Sequence, residues 1–580
     1  MRILTKRSAL VLTKIALFAT LLSSCGVDQV STSGNVEHPT LVQSSRILSQ
    51  ASFGPTIEEI NRLQTLGTSA WLNDQFAKPQ SLHMAYLNKT LPTLGANQPG
   101  QDLFQESFWQ QAIKGDDQLR QRVTYALSQI LVISFKNNTL ASMPRGVASY
   151  YDTLGAYAFG NYRDLLQAVT LHPMMGIYLS SLRNQKTQGA SVPDENYARE
   201  VMQLFTIGLK ELNANNGYGT DPSVADVATY TNGDIKFLAK VFTGWSWAGP
   251  DKTGNRFRGN TVDPDRDWKP MQNYGDAYHE TVKNPDPNNM PFLFLDTTVA
   301  LANTSGETSL KIALDKLFNH PNVGPFIGRQ LIQRLVTSNP SPAYIGRVAA
   351  AFEASSTHPR GDMKALIKAV LLDPEAMDPT NLTTNPTYSA DKTGKLREPV
   401  LRVANWMRAF NANSSSGRFL LTNNNLSNPN DALNTPGQTP MNSPSVFNFY
   451  RPEFQPPGSG IASYQNTHLT TKLFAPEMQI TEESSVVGYL NFMRDVIPSG
   501  TGANSDIKAD YSRALSLAST PTALVDYVDL LLLQNKMSST LRTDILSAIA
   551  TIPNNSSSAS NKVYLAIFLT MASPEYLVQK

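Results

Sequence analysis

The segment PDENYAREVMQLFTIG, residues 193 to 208, gathers the side chains best suited to chemistry. Wound as a helix, it sets Asn196, Arg199, Glu200 and Gln203 at i, i+3, i+4 and i+7, opposite an apolar stripe of Tyr197, Val201, Leu204 and Phe205. If that polar stripe is buried, Glu200 is suited to be a general base or metal ligand, and Arg199 to hold an anionic group. If it is solvated, it is an ordinary helix surface, and the Glu195–Arg199 pair contributes only about 0.3 to 0.5 kcal/mol. One helix does not decide between the two. Four of the seven histidines, His38, His172, His320 and His358, stand directly before proline, which suits the start of a helix. His172 is a candidate for chemistry because of the polar stripe that follows it.

Sharper motifs fail on inspection. His279-Glu280 leads to Lys283 where an H-E-x-x-H zinc site needs a second histidine, and the one cysteine, Cys25, leaves no thiolate in the body to bind zinc. Asp263, Asp265 and Asp267 alternate as at the start of a calcium loop, but Trp268 stands where glycine is required and Tyr274 where the last glutamate belongs. Gly217-Tyr218-Gly219 leads to Pro222 instead of a third glycine, which defeats a dinucleotide loop.

The elements that must position these residues read as helices. In PTIEEINRLQTLG, Thr56 and Glu59 predict a capping box, Ile57, Ile60, Leu63 and Leu66 fall three apart, and Gly67 marks the stop. Ile235, Leu238, Val241, Phe242 and Trp245 predict another helical stripe, and three further helices follow from Pro521 to the end. The expected fold is mainly α, a large multi-helix body with long irregular loops and little or no β-sheet. Composition divides the chain into a main body over 41–409, a Pro- and Asn-rich irregular segment over 410–480, and a helical part over 481–580 packed back on the body.

With 580 residues, 17 % of them charged, and 49 Lys plus Arg against 47 Asp plus Glu, an electrostatic nucleic-acid binder is excluded. Residues 1–24 hold four of the basic residues, Arg2, Lys6, Arg7 and Lys14, and no acidic one. They precede an apolar run from Ile15 to Leu22 that is too short for a permanent membrane helix, the pattern of a cleaved leader. Leu22-Ser23-Ser24-Cys25 has the form of a bacterial lipobox, which predicts lipid attachment at Cys25 and a flexible tether over 25–40. Gly26 stands where an inner-membrane retention signal would place aspartate, so the expected address is the outer membrane, facing the periplasm or the exterior. The mature chain, with 45 basic against 47 acidic residues, is slightly acidic.

The runs NYAREVMQLFTIGL (196–209), DIKFLAKVFTGWSW (234–247), SPSVFNFYRPEFQPPG (443–458) and LFAPEMQI (473–480) resemble the bacterial family called domain of unknown function 1800. RILSQASFGPT near the start and ASPEYLVQK at the end match as well. The resemblance implies a large exported or membrane-anchored protein, often encoded beside another exported family, with no established reaction, cofactor or metal. It also implies a site. The family's histidine-proline step falls on His172 and Pro173, and its acidic and amide motif on Glu195 and Asn196, followed by Arg199 and Glu200. A His-Asp pair expected after the Thr-Gly-Trp run appears as His279-Glu280, a longer carboxylate that puts any metal geometry there in question.

Two functions follow. In one, a lipid-tethered helical scaffold presents a surface to a partner protein. In the other, His172, Glu195, Asn196, Arg199, Glu200 and His279 form one pocket for acid/base or metal-assisted hydrolysis of an envelope polymer, with Trp245, Trp247 and Trp268 stacking on sugar rings nearby. Burial of Glu200 beside His172 or His279 separates them.

Overall fold

The computed structural model describes residues 38–94, 100–219, 221, 225–280, 293–295, 297–298, 304–378, 393–461, 473–553 and 555–580. The leader, Cys25 and most of the tether lie outside these residues, as does Lys283. Of the described residues 58 % are helical, and the strands among them are four antiparallel pairs of two residues each, which makes the protein mainly α. Trp245–Ser246 pairs with Gln272–Asn273, Leu293–Phe294 with Thr297–Thr298, Lys395–Leu396 with Val578–Gln579, and Asn413–Ser414 with Ile507–Lys508.

Local punctuation sets the helix boundaries. The helix Ile57–Leu66 starts at Thr56, whose hydroxyl accepts from the Glu59 amide at 3.2 Å, and ends at Gly67. Only half of the expected capping box forms. The Glu59 carboxylate turns instead to Arg62 (2.9 Å) and to the indole N–H of the fully buried Trp71 (2.5 Å), a donor that needs an acceptor. After Thr231, which makes a complete box with Asp234, the helix runs over Asn232–Val241. It stops before Trp245, contrary to the predicted stripe. Gly244 takes a φ of 78°, and a Cβ there would sit 2.7 Å from the His279 amide nitrogen, so the chain turns at Gly244 and Trp245 enters a strand.

Buried apolar residues from Ile47 to Tyr576 pack into a hydrophobic cluster. The helix Pro399–Ala409 lies inside it with all 11 residues buried. Residues 429–434 lie against the helix Glu483–Ser499, where Gly488 leaves no room for a Cβ beside the Ala432 and Thr435 carbonyls.

Several buried cations end on helix C-terminal carbonyls, which lack intrahelical donors and carry the negative end of the helix dipole. Arg408 donates to the Ile113 carbonyl near the end of the helix Gln101–Lys114. Arg334 reaches the Gln129 carbonyl that closes Gln118–Ser128. Arg122 (2.6 Å) and Lys395 (2.8 Å) share the Arg334 carbonyl at the end of Val323–Leu335. Arg397 bonds the Leu532 carbonyl that ends Pro521–Leu532. These contacts tie helices from distant parts of the chain to one another and to the segment 395–409.

Lys395 also pairs with Glu477 at 3.2 Å, and both are almost wholly buried. Lys395→Met should cost about 3 to 5 kcal/mol, since it strands a buried carboxylate. The double variant Lys395→Met/Glu477→Leu should recover most of that loss. Urea unfolding of the three proteins checks this, and a double variant no more stable than the single one would contradict it.

Candidate functional site

The predicted helix spans Asn196–Gln203. Its start is fixed by Asp194, whose side chain accepts from the Asn196 amide at 2.8 Å, and by Asn184, which exchanges hydrogen bonds with the Asp194 backbone at 2.9 and 3.1 Å. Two backbone amides, Ile207 and Gly208, close its far end on the Met202 carbonyl.

The polar stripe divides between solvent and core. Glu195 and Arg199 face each other at 3.5 Å with side chains 36 % and 43 % exposed, and Asn196 is exposed. Glu200 turns inward to 8 % exposure, and its Oε2 is buried without a hydrogen-bond partner. Burial raises its pKa against the pull of Arg199. The Tyr230 hydroxyl, itself raised by burial, is the other polar group that feels both charges.

His172 closes the helix Tyr162–Leu171 and opens Pro173–Tyr178. Its Nδ1 accepts from the Met174 amide at 3.2 Å, Nε2 lies 3.4 Å from the Ser149 hydroxyl, and the ring packs edge-on to Tyr150. Burial lowers its pKa to about 3, so it is neutral. His279 is 1 % exposed beneath Gly244. Its Nδ1 lies 2.9 Å from the Thr243 carbonyl and therefore carries the proton, while Nε2 is buried without a partner. Glu280 accepts from the Thr187 amide and hydroxyl and lies 3.6 Å from Lys240.

His279 and the start of the 196–203 helix do share a neighbourhood. The Gly244 amide bonds the Asn184 carbonyl at 2.8 Å, and Asn184 holds Asp194. Tyr197 reaches toward His172 through a 2.7 Å bond to Thr170. No hydrogen bond or ion pair joins His172, Glu200 and His279 to one another. Among the described residues no three His, Cys, Asp or Glu side chains are grouped to hold a metal ion. Asp263, Asp265 and Asp267 are each paired instead with Arg256, Lys269 and Arg266.

Trp245 and Trp247 are each 5 % exposed, so they pack in the core and offer no platform for a sugar ring. A cleft of about 600 Å³ opens beside Trp245, lined also by Leu171, Gln167 and Met271, with Arg163 and Lys311 both holding Asp315. A larger concavity of about 780 Å³ lies elsewhere, where Asp506 accepts from the hydroxyls of Ser414, Ser415 and Ser416.

A further buried ionisable cluster lies outside the residues that the sequence motifs mark as candidates. Glu398 is 0 % exposed, and its Oε2 accepts from Gln129 (2.6 Å), Gln438 (2.7 Å) and Tyr125 (3.0 Å). Lys395, Glu477, Arg122, Arg334 and Tyr450 surround it, all buried. Tyr450 and Glu477 belong to SPSVFNFYRPEFQPPG and LFAPEMQI, two of the runs that carried the family resemblance. The available signal was the frequency of charge inside apolar segments: LREPVLRVANWMRAF keeps Arg402 and Arg408 within a helix otherwise fit for a core.

Fold and site together define a mainly α protein with a buried ionic centre and a half-buried polar helix. The chain matches the family described as protein of unknown function (DUF1800) over residues 46–578, and it belongs to that family. No curated protein and no solved structure matches it.

His172 gives a pH prediction. Its pKa is about 3 folded and about 6.5 unfolded, so unfolding takes up a proton as pH falls below 6.5 and stability drops toward pH 3. His83, lowered to about 4 by burial, adds a second such proton. His172→Asn keeps an acceptor at the helix start and should remove about one proton from the linkage between pH 6 and 4. Urea unfolding measured across that range reads the slope, and an unchanged slope would contradict a buried neutral His172.

Proposed function

We propose that this is a lipid-anchored protein of the bacterial cell envelope whose helical body serves as a scaffold or binding surface for another exported protein. The observation that carries the reading is the outward face of the 196–203 helix. Glu195, Asn196 and Arg199 lie in contact with solvent, while His172 and the Nδ1 of His279 are committed to local hydrogen bonds. Such a face suits contact with a partner and carries no proton-transfer pair.

The anchored part of the proposal rests on the N-terminal sequence, with its basic start, short apolar run and Leu22-Ser23-Ser24-Cys25. No helix among the described residues is long and apolar enough to cross a membrane. Acyl chains on Cys25, at about 0.8 kcal/mol per buried methylene, would hold the protein to a bilayer without one. Gly26 favours the outer membrane.

One observation favours a second reading, hydrolysis of an envelope polymer. Glu200 is buried, its pKa is raised, and one of its oxygens has no partner, which are properties of a poised acid or base.

Three variants test these readings. In a bacterial host the native chain should incorporate radiolabelled palmitate and Cys25→Ala should not; label on the variant would overturn the anchor. Arg199→Glu should reduce co-purification with a partner from the adjacent exported family by about tenfold, equivalent to about 1.4 kcal/mol, with unchanged Tm. Glu200→Gln should leave biological function intact, whereas its loss from a stably folded variant would favour the hydrolase.

A further inference from the structure

Two guanidinium groups sit at the centre of the protein without a carboxylate in contact. Arg122 is 0 % exposed, and its one hydrogen bond runs from Nη2 to the Arg334 carbonyl, so Nε and Nη1 are buried without partners. Arg334, 3 % exposed, donates to the Gln330 and Gln129 carbonyls and leaves its own Nε unpartnered. Neither forms an ion pair.

The charges around them do not balance. Lys395 and Glu477 neutralise each other at 3.2 Å. Glu398 neighbours both guanidinium groups and is the one remaining carboxylate of the cluster, with its Oε1 unpartnered. Arginine does not shed its proton in a protein, and Arg402, also buried outside any ion pair, feels the same Glu398 carboxylate, so two buried positive charges remain. The helix C-termini at Gln129 and Arg334 supply only partial negative charge, about half an elementary charge each. One more buried donor without a partner, the Tyr450 hydroxyl, neighbours Arg122. An uncompensated buried cation and unmade hydrogen bonds each cost stability, and both costs fall if an anion is present.

We propose that this centre encloses one small monoanion of the halide class, held between Arg122 and Arg334 beside the Tyr450 hydroxyl. The size follows from the enclosure: Arg122 and Glu398 are 0 % exposed and Tyr450 3 %, which leaves no opening for a larger acid. The sign follows from the excess of buried positive charge. Because the arginines come from helices at 118–128 and 323–335 and the tyrosine from the segment at 443–458, the ion joins three distant parts of the chain.

The test is thermal unfolding of the full chain at constant ionic strength, with sodium chloride or bromide replacing sodium gluconate. The midpoint should rise by several degrees and saturate with halide. Arg122→Gln and Arg334→Gln should lose that dependence, and Arg494→Gln, on the exposed surface, should keep it. Crystals grown in bromide should show an anomalous peak between Arg122 and Arg334. That peak decides the matter in the native chain if the variants do not fold. Equal midpoints in gluconate and halide, halide dependence retained in both arginine variants, or bromide crystals with water alone at the centre would each overturn the proposal.

Discussion

A buried cation on the C-terminal end of a helix is the interaction on which this structure most depends. The last carbonyls of a helix have no donors of their own, and when they are packed inside a protein water does not supply them. Here arginine and lysine side chains do. Arg408, Arg334, Arg122, Lys395 and Arg397 each meet such a carbonyl, and the first four serve the ends of Gln101–Lys114, Gln118–Ser128 and Val323–Leu335. The arrangement is costly to disturb in either direction. Removing the cation orphans a carbonyl, and removing the helix end leaves a buried charge with nothing to face.

The same constraint explains why the charged residues of the core concentrate around 395–409. The helix Pro399–Ala409 is buried on every side, so its arginines have no route to water, and they extend to backbone carbonyls or lie over aromatic rings. Arg402 lies over Tyr489 at 4.8 Å and Arg397 over Tyr576 at 4.6 Å. Both rings come from the C-terminal helices, so these contacts hold the end of the chain against its middle.

The region around Thr243, Gly244 and His279 is organised by backbone contacts instead. The strap 183–194 is fixed to it by bonds from Arg183 to the Trp245 carbonyl, from Lys186 to that of Tyr278, and from Gly244 to that of Asn184. Through this strap the start of the 196–203 helix and His279 become neighbours. The histidines hold this architecture together: one caps a helix and the other anchors a turn. Glu200 differs, being buried with an oxygen that nothing engages.

Much of the fold was legible in the sequence, because helix caps and 3.6-residue periodicity are local properties. Thr56, Gly67 and Pro173 mark boundaries that the structure keeps, and Trp245 left its predicted stripe because Gly244 turns against a residue 35 positions away. For the site, sequence determined which residues face the same way on one helix, and it identified Glu200 as the residue whose burial mattered. It did not determine that Glu195 and Arg199 stay in solvent while Glu200 turns inward, nor that Tyr450 and Glu477 converge with Lys395 and Glu398. Those outcomes belong to tertiary structure for a physical reason: periodicity fixes direction about one helix axis, whereas the partner of a buried charge is set by packing between segments that no local rule connects.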